Sequence, residues 1–432
     1  MTFAQPVAVA LPDHPQRVPL ANELHARPFP SLRAPGDAIH LALKPLDDAA
    51  RDREAERAHL LDLLDRHGAA HPPPGATHWS GRLGRCELKW ESHTEFVTYL
   101  LWEEGATGPA FHPDLLRKFP ADWLAAAPGA RIASALIRVE PAPADETIVA
   151  RAAEWFVPES LTLSRVLDDK AVVAGDFRLD AAGHMRFAVF AREGLGDRRT
   201  GRVVQQLCEI ETYRAMAMLG FATARDLAPA MADLDRRLSA LIESMASDAA
   251  RHAETLHDLL GISAELEHLS ARSGYRLSAT VAYETIVLQR VAALRELRFG
   301  GRPTLGEFMQ RRFDPAMRTA GSTDRRLGSM SARALRAGNL LRTRVDVERS
   351  AQNQRLLESM DRRADLALRL QHTVEGLSVV AVSYYAVGLA LYLLGPLEGA
   401  LPIGKPLLAA LVAPVVILAV WWGLRRIRRS LH

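Results

Sequence analysis

The sequence predicts an α+β cytoplasmic domain, then a long-helix domain, then a C-terminal transmembrane helical hairpin. Three observations carry that reading. Eighteen of the 25 prolines fall in the first 158 residues and only three between 159 and 395, so the chain is loop-rich early and free to be helical later. Short runs of alternating apolar and polar residues fill the first half, whereas apolar spacings of three and four dominate from Arg199 onward. Two uncharged stretches of 19 and 18 residues close the chain.

In order, an N-terminal arm over 1–19 precedes the α+β domain, 20–198. There "DAIHLALKPL" alternates like a strand, and "DDAARDREAERAHLLDLLDRHG" has helical spacing with Gly68 as its stop. "RCELKWESHTEFVTYLLW" alternates again, "HPDLLRKFPADWLAAAPG" suggests short helices, and "RIASALIRVE" another strand. "SLTLSRV", "KAVVAGDFRL" and "HMRFAVFA", separated by turn signals, read as an antiparallel meander. A helical stalk domain follows over 199–375. Its last helix repeats Leu356, Met360, Ala364, Ala367, Leu370, Val374 and Leu377 along one stripe, and no Pro or Gly interrupts it before Gly376. It is expected to run straight into the first span. The stripe suits packing on helices of its own chain or, in the sharper reading, between subunits.

At 1.5 Å per residue the stretches 376–394 and 407–424 each cover roughly 27 Å, enough for the hydrocarbon core of a bilayer. Arg362, Arg363 and Arg369 precede the first, and Arg425, Arg426, Arg428 and Arg429 in the 425–432 tail follow the second. Trp421 and Trp422 suit an interfacial anchor. By the positive-inside rule both ends face the cytoplasm. The N-terminus lacks a basic start followed by an apolar run, so no secretory signal is read there. The expected location is a bacterial inner membrane, with the bulk of the chain in the cytoplasm.

Composition narrows the partners. The 54 basic residues, only five of them Lys, face 51 acidic ones. The net charge of +3 lacks the concentrated positive field that general nucleic-acid binding needs, so no nucleic acid is expected. Cys86 and Cys208 are too few for a disulfide framework or a four-thiolate zinc site.

Two polar clusters stand out. "NELHARPFP" brings Glu23, His25 and Arg27 within five residues and ends in prolines, a ligand site or an intersubunit or interdomain clasp. In "WESHTEF", a strand would place Glu91, His93 and Glu95 on one face, a candidate ligand or metal site or else a solvated strand face. The cofactor is left open, with a divalent cation as the one option these metal-capable groups offer. "REGLGDRRTGR" precedes a helix but matches neither the phosphate loop nor the dinucleotide fingerprint, and reads as a basic turn. His252 and His257 lie about 140° apart on a helix and are no zinc pair. No nucleophile motif is present, so no catalytic residue is assigned.

Through "NELHARPFP", "WESHTEF", "GRVVQQLCEIETYRAMAMLG", "LLRTRVDVERSAQNQRLLESM" and "LQHTVEGLSVVAVSYYAVG", the chain resembles a bacterial family of unknown function described as membrane-anchored. That resemblance implies anchorage and supplies no activity. The layout also resembles CorA-type magnesium channels: an α/β domain, a long helix continuing into the first of two C-terminal spans, and a basic tail. It implies a homo-oligomer, a pentamer in those channels, with Ser378, Tyr385 and Tyr392 as pore-facing candidates on the first span. The Gly-Met-Asn signature of those channels is replaced by "LLGPLEG", so magnesium selectivity is not implied. The functional expectation is an ion channel or transporter. The alternative is a membrane-anchored scaffold or regulator binding a partner or ligand through its cytoplasmic domain. An enzyme using His25 and His93 would require those two side chains to converge.

Overall fold

The computed structural model describes residues 13–23, 29–46, 50–247, 252–395 and 405–431. The short helix α1 (Arg17–Glu23) precedes strand β1 (Gly36–Lys44), helix α2 (Arg53–Arg66) and strands β2 (His78–Leu83), β3 (Cys86–Ser92) and β4 (Val97–Glu104). A 3-10 helix (Pro113–Lys118) and α3 (Ala121–Ala125) lead to β5 (Ala130–Pro141), α4 (Asp145–Trp155), β6 (Thr162–Val166), β7 (Ala171–Gly175) and β8 (Met185–Ala191). Long helices follow: α5 (Asp197–Ser247) and α6 (His252–Ala293), the short β9 (Leu297–Arg298) and α7 (Leu305–Arg312), then α8 (Asp314–Leu394) and α9 (Lys405–Leu431). An α/β sheet domain is therefore followed by long helices and two C-terminal apolar helices.

Local chemistry explains the borders. Asp52 caps α2 by accepting from the amides of Glu54 and Ala55, and Gly68 at φ +62° takes the left-handed position just beyond its end. Thr304 and Glu307 form a reciprocal capping box on α7. Leu167, Asp168 and Asp169 all have positive φ and make the turn between β6 and β7.

The strands form one sheet in the order β2-β3-β4-β1-β5-β8-β7-β6-β9. Among the described residues only β5 and β8 pair in parallel; every other pair of neighbouring strands is antiparallel. Two successive strand-helix-meander segments, β1-α2-β2-β3-β4 and β5-α4-β6-β7-β8, each return their last strand to the side of their first, and β1 against β5 joins them. One face of the sheet carries Ala38, Leu100, Ile137, Phe187 and Val189 against α5, α6 and α7. The opposite face is covered by α2 and α3 at one end and by α4 at the other.

By internal contacts the chain forms two units, Met1–Ser244 with His257–Ala337, and Met245–Leu256 with Gly338–His432. In the second unit, His252 Nδ1 lies 2.8 Å from Glu348 Oε1, and Arg344 donates to the Met245 carbonyl at 2.8 Å. One member of the His pair in "HAETLHD", His252, thus contacts a carboxylate of α8. Helix α8 is unbroken from Asp314 to Leu394, so the stalk helix does run into the first apolar span.

Within the first unit α5 and α6 pass close to each other at Gly220, where a methyl group would sit 1.9 Å from Thr280 Oγ1. Gly328 on α8 has open space beside it. Alanine gains about 1 kcal/mol of helix propensity at either site, but overpacking costs about 1–3 kcal/mol. Gly220→Ala should therefore lower the thermal unfolding midpoint of the full chain, whereas Gly328→Ala should raise it. Differential scanning fluorimetry on the purified protein reads both.

Candidate functional site

"WESHTEF" is not one strand. Strand β3 ends at Ser92, the His93 amide donates to the Phe96 carbonyl at 2.9 Å, and β4 starts at Val97. The expectation that Glu91, His93 and Glu95 share a strand face is corrected accordingly: Glu91 stays on β3, while His93 and Glu95 belong to the hairpin turn. Alternation in the sequence continues through the turn because its polar residues serve different neighbours.

Two arginines hold that turn. Arg51 pairs with Glu56, donates to Ser92 Oγ at 2.8 Å and also bonds the His93 carbonyl. Arg276 of α6 pairs with the Glu95 carboxylate, which accepts as well from Tyr283 Oη at 2.7 Å. Burial and that contact push the Tyr283 phenol well above its ordinary value. Both guanidinium groups are largely shielded from water, where a charge-assisted bond is worth more than on the surface.

Beneath the turn the sheet and α5 leave a small, half-open cavity of about 20 Å³, the room for one water molecule. Glu91 and His93 both line it, with His40 from β1 and Gln205, Glu209 and Thr212 from α5. Lys89, 2% exposed, lies 3.3 Å from Glu91 and donates to Gln205 Oε1 at 2.9 Å. Gln205 donates to Glu209 at 2.7 Å, and Glu209 pairs with Arg290 of α6. His40 Nε2 is 2.7 Å from Thr212 Oγ1, its Nδ1 has no hydrogen-bond partner, and burial lowers its pKa to about 3. Each carboxylate here has a cation, and burial keeps the His40 imidazole neutral. The chamber is suited to holding a small polar species. Among the described residues no three His, Cys, Asp or Glu side chains are placed to hold a metal ion.

The other candidate cluster is divided. Glu23 ends the short helix α1, its side chain lying outside the described residues together with His25 and Arg27. The end of the same motif is seated on the start of α5: the Arg202 guanidinium lies 4.4 Å from the Phe29 ring centre, and a methyl on Gly201 would meet the Pro30 carbonyl at 1.9 Å.

A family model described as "protein of unknown function (DUF3422)" matches residues 12–431. The chain belongs to this family. No curated protein matches it.

Two helices of this DUF3422 chain are long and apolar enough to cross a membrane, in windows only 6% and 0% buried within the molecule. A core hairpin of a water-soluble domain would be covered. Half-buried or buried positions of α8 recur at Glu375, Val379, Ser383, Ala386 and Ala390, marking one shielded side, and toward the end of the helix Val387, Leu391 and Leu394 are half-buried as well. Leu370, Val374, Leu377, Ala381 and Tyr384 lie roughly opposite and are exposed. Ser378, Tyr385 and Tyr392 are exposed too, next to that open side, with Tyr392 at 89%.

Sequence reasoning missed His40, Lys89 and the α5 residues of the chamber. A signal existed: Gln205, Glu209 and Thr212 stand four and three apart in an otherwise apolar helix face, polar where the helix buries itself.

Folding keeps His40 neutral, whereas an unfolded His protonates near 6.5, so its contribution is full above pH 6.5 and is lost as pH falls toward 3. The shift corresponds to an upper bound of about 5 kcal/mol. His40→Gln should flatten the fall in unfolding midpoint between pH 6.5 and 4. An unchanged slope would place the titration on other groups.

Proposed function

We propose that this chain is a membrane-anchored protein that assembles with copies of itself along α8, with its sheet domain on the cytoplasmic side. The observation that carries the proposal is the uncovered stripe ahead of the first span. Leu356, Met360, Leu370, Val374 and Leu377 are 56–70% exposed. Residues 356 to 376 extend roughly 30 Å along a helix, beyond what the bilayer around the span would cover. From Ala367 the spacing is strictly three and four: Ala367, Leu370, Val374, Leu377, Ala381, Tyr384, Gly388 and Leu391. That heptad seam crosses from the charged part of α8 into its apolar part without a change of phase. Its small members in the apolar part, Ala381 and Gly388, suit close helix approach in lipid, where packing rather than the hydrophobic effect joins helices.

A transport role is a second reading, favoured by the exposed Ser378, Tyr385 and Tyr392 beside the seam, which would border the axis of a helical ring. The CorA-like layout would make that ring five-fold. Ion flux from vesicles containing the purified chain tests it: no flux above that of empty vesicles removes the reading.

For assembly itself, native mass spectrometry of the full chain from lipid nanodiscs or mild detergent should give a multiple of 47.5 kDa. Met360→Glu with Leu370→Glu should reduce it to single chains, because each apolar side chain covered in the seam contributes about 1–2 kcal/mol and two charges face each other instead. A single-chain mass for the unaltered protein would remove the proposal.

A further inference from the structure

Outside the one-water chamber lies a second, open pocket of about 340 Å³, bounded by Arg53, His93, Thr94, Tyr213, Tyr283 and Ile286. His93, Phe96 and Tyr213 line both spaces, so the rings form the partition between them. We propose that this pocket binds a small carboxylate with a flat apolar body, an aromatic or unsaturated acid, independently of how the chain assembles.

Charge, walls and size each restrict the occupant. Among the described residues the lining holds one permanent cation, Arg53, and no carboxylate. Among the described residues, Glu91 is engaged by Lys89, Glu95 by Arg276, Glu56 by Arg51 and Glu209 by Arg290, while Asp52 accepts from the first amides of α2. Arg53 has no carboxylate partner among the described residues. The local field therefore favours an anion, and a guanidinium fork at the rim matches a carboxylate.

Polar groups (Arg53, Ser92, His93 and Thr94) make up much of the lining, and three aromatic rings form one wall of it. The Tyr213 and Tyr283 rings are stacked 5.7 Å apart at 24°, with Phe96 edge-on to Tyr213 at 5.9 Å. Ring faces are electron-rich and repel an anion placed over them, so the carboxylate turns to Arg53 while the flat body lies along the rings and Ile286. A quaternary ammonium would favour the rings but meets the guanidinium at the entrance. The volume lies at the lower end of small-molecule pockets, which suits a one- or two-ring acid. The two clamping arginines, Arg51 and Arg276, hold the turn that carries His93 and Thr94, so the pocket is formed before a ligand arrives.

Benzoate is the probe, titrated calorimetrically into the full-length protein, with benzamide and benzyltrimethylammonium as neutral and cationic matches of the same ring. Saturable binding of one benzoate per chain is expected, with both comparators about tenfold or more weaker, the worth of one charge-assisted contact. Arg53→Gln, on the exposed first turn of α2, should remove the preference for benzoate over benzamide. Ile286→Trp should fill the pocket and abolish binding, with the unfolding midpoint of each variant confirming that the fold is kept. The inference is overturned if benzoate shows no saturation up to about 10 mM, if either comparator binds as well, or if neither variant changes the titration.

Discussion

A lysine ammonium at 2% exposure decides where α5 can lie on the sheet. Lys89 projects from β3 into the buried contact with α5, and its charge has to be met there by Glu91 and Gln205. Sliding α5 by one turn would strand the ammonium and the carboxamide together, a loss of several kcal/mol that apolar contacts alone would not impose. The chain continues from Gln205 to Glu209 to Arg290, so one connected network sets β3, α5 and α6 at once. The Glu95 contacts with Arg276 and Tyr283 then place the β3–β4 turn on that frame. Ligand pocket, partition and chamber all follow from this one arrangement of charges.

The second unit obeys the opposite logic. Past Leu341 most of α8 has no cover, and its side chains alternate between charge and apolar bulk with a helical period. Helices of this length are not stabilised by propensity alone but by an apolar face with something against it. Under the proposed anchorage, lipid is the cover for the last 19 residues of the helix and for the apolar part of α9. For Leu356 through Val374, a second copy with the same stripe is the simplest surface of matching length and spacing.

Much of the architecture was legible because its signals are local. Alternation located β1 and β5, Gly68 marked the end of α2, the turn signals separated β6, β7 and β8, and hydropathy with length gave the apolar helices. Strand order was not legible: the parallel β5–β8 pair joins segments about fifty residues apart in sequence. The 93–96 turn was hidden because it contains no Gly or Pro and keeps the polar-apolar rhythm. The chamber was half visible. Glu91 and His93 stood out as a cluster, but His40 meets Thr212 across 172 positions, and a lone His in an apolar strand looks like ordinary core. The stripe on α8 was plain in the sequence, yet whether its own chain covered it required the tertiary structure.

The claim that matters most is that copies meet along one continuous seam on α8. Single cysteines placed in turn at positions 364 to 384, in a background where Cys86 and Cys208 are replaced, and oxidised in intact membranes, report it directly. Disulfide yield should peak at 367, 370, 374, 377, 381 and 384, in one phase on both sides of Gly376, with low yield at the shielded positions 375, 379 and 383. Uniformly low yield, or a phase that jumps at Gly376, would contradict the account.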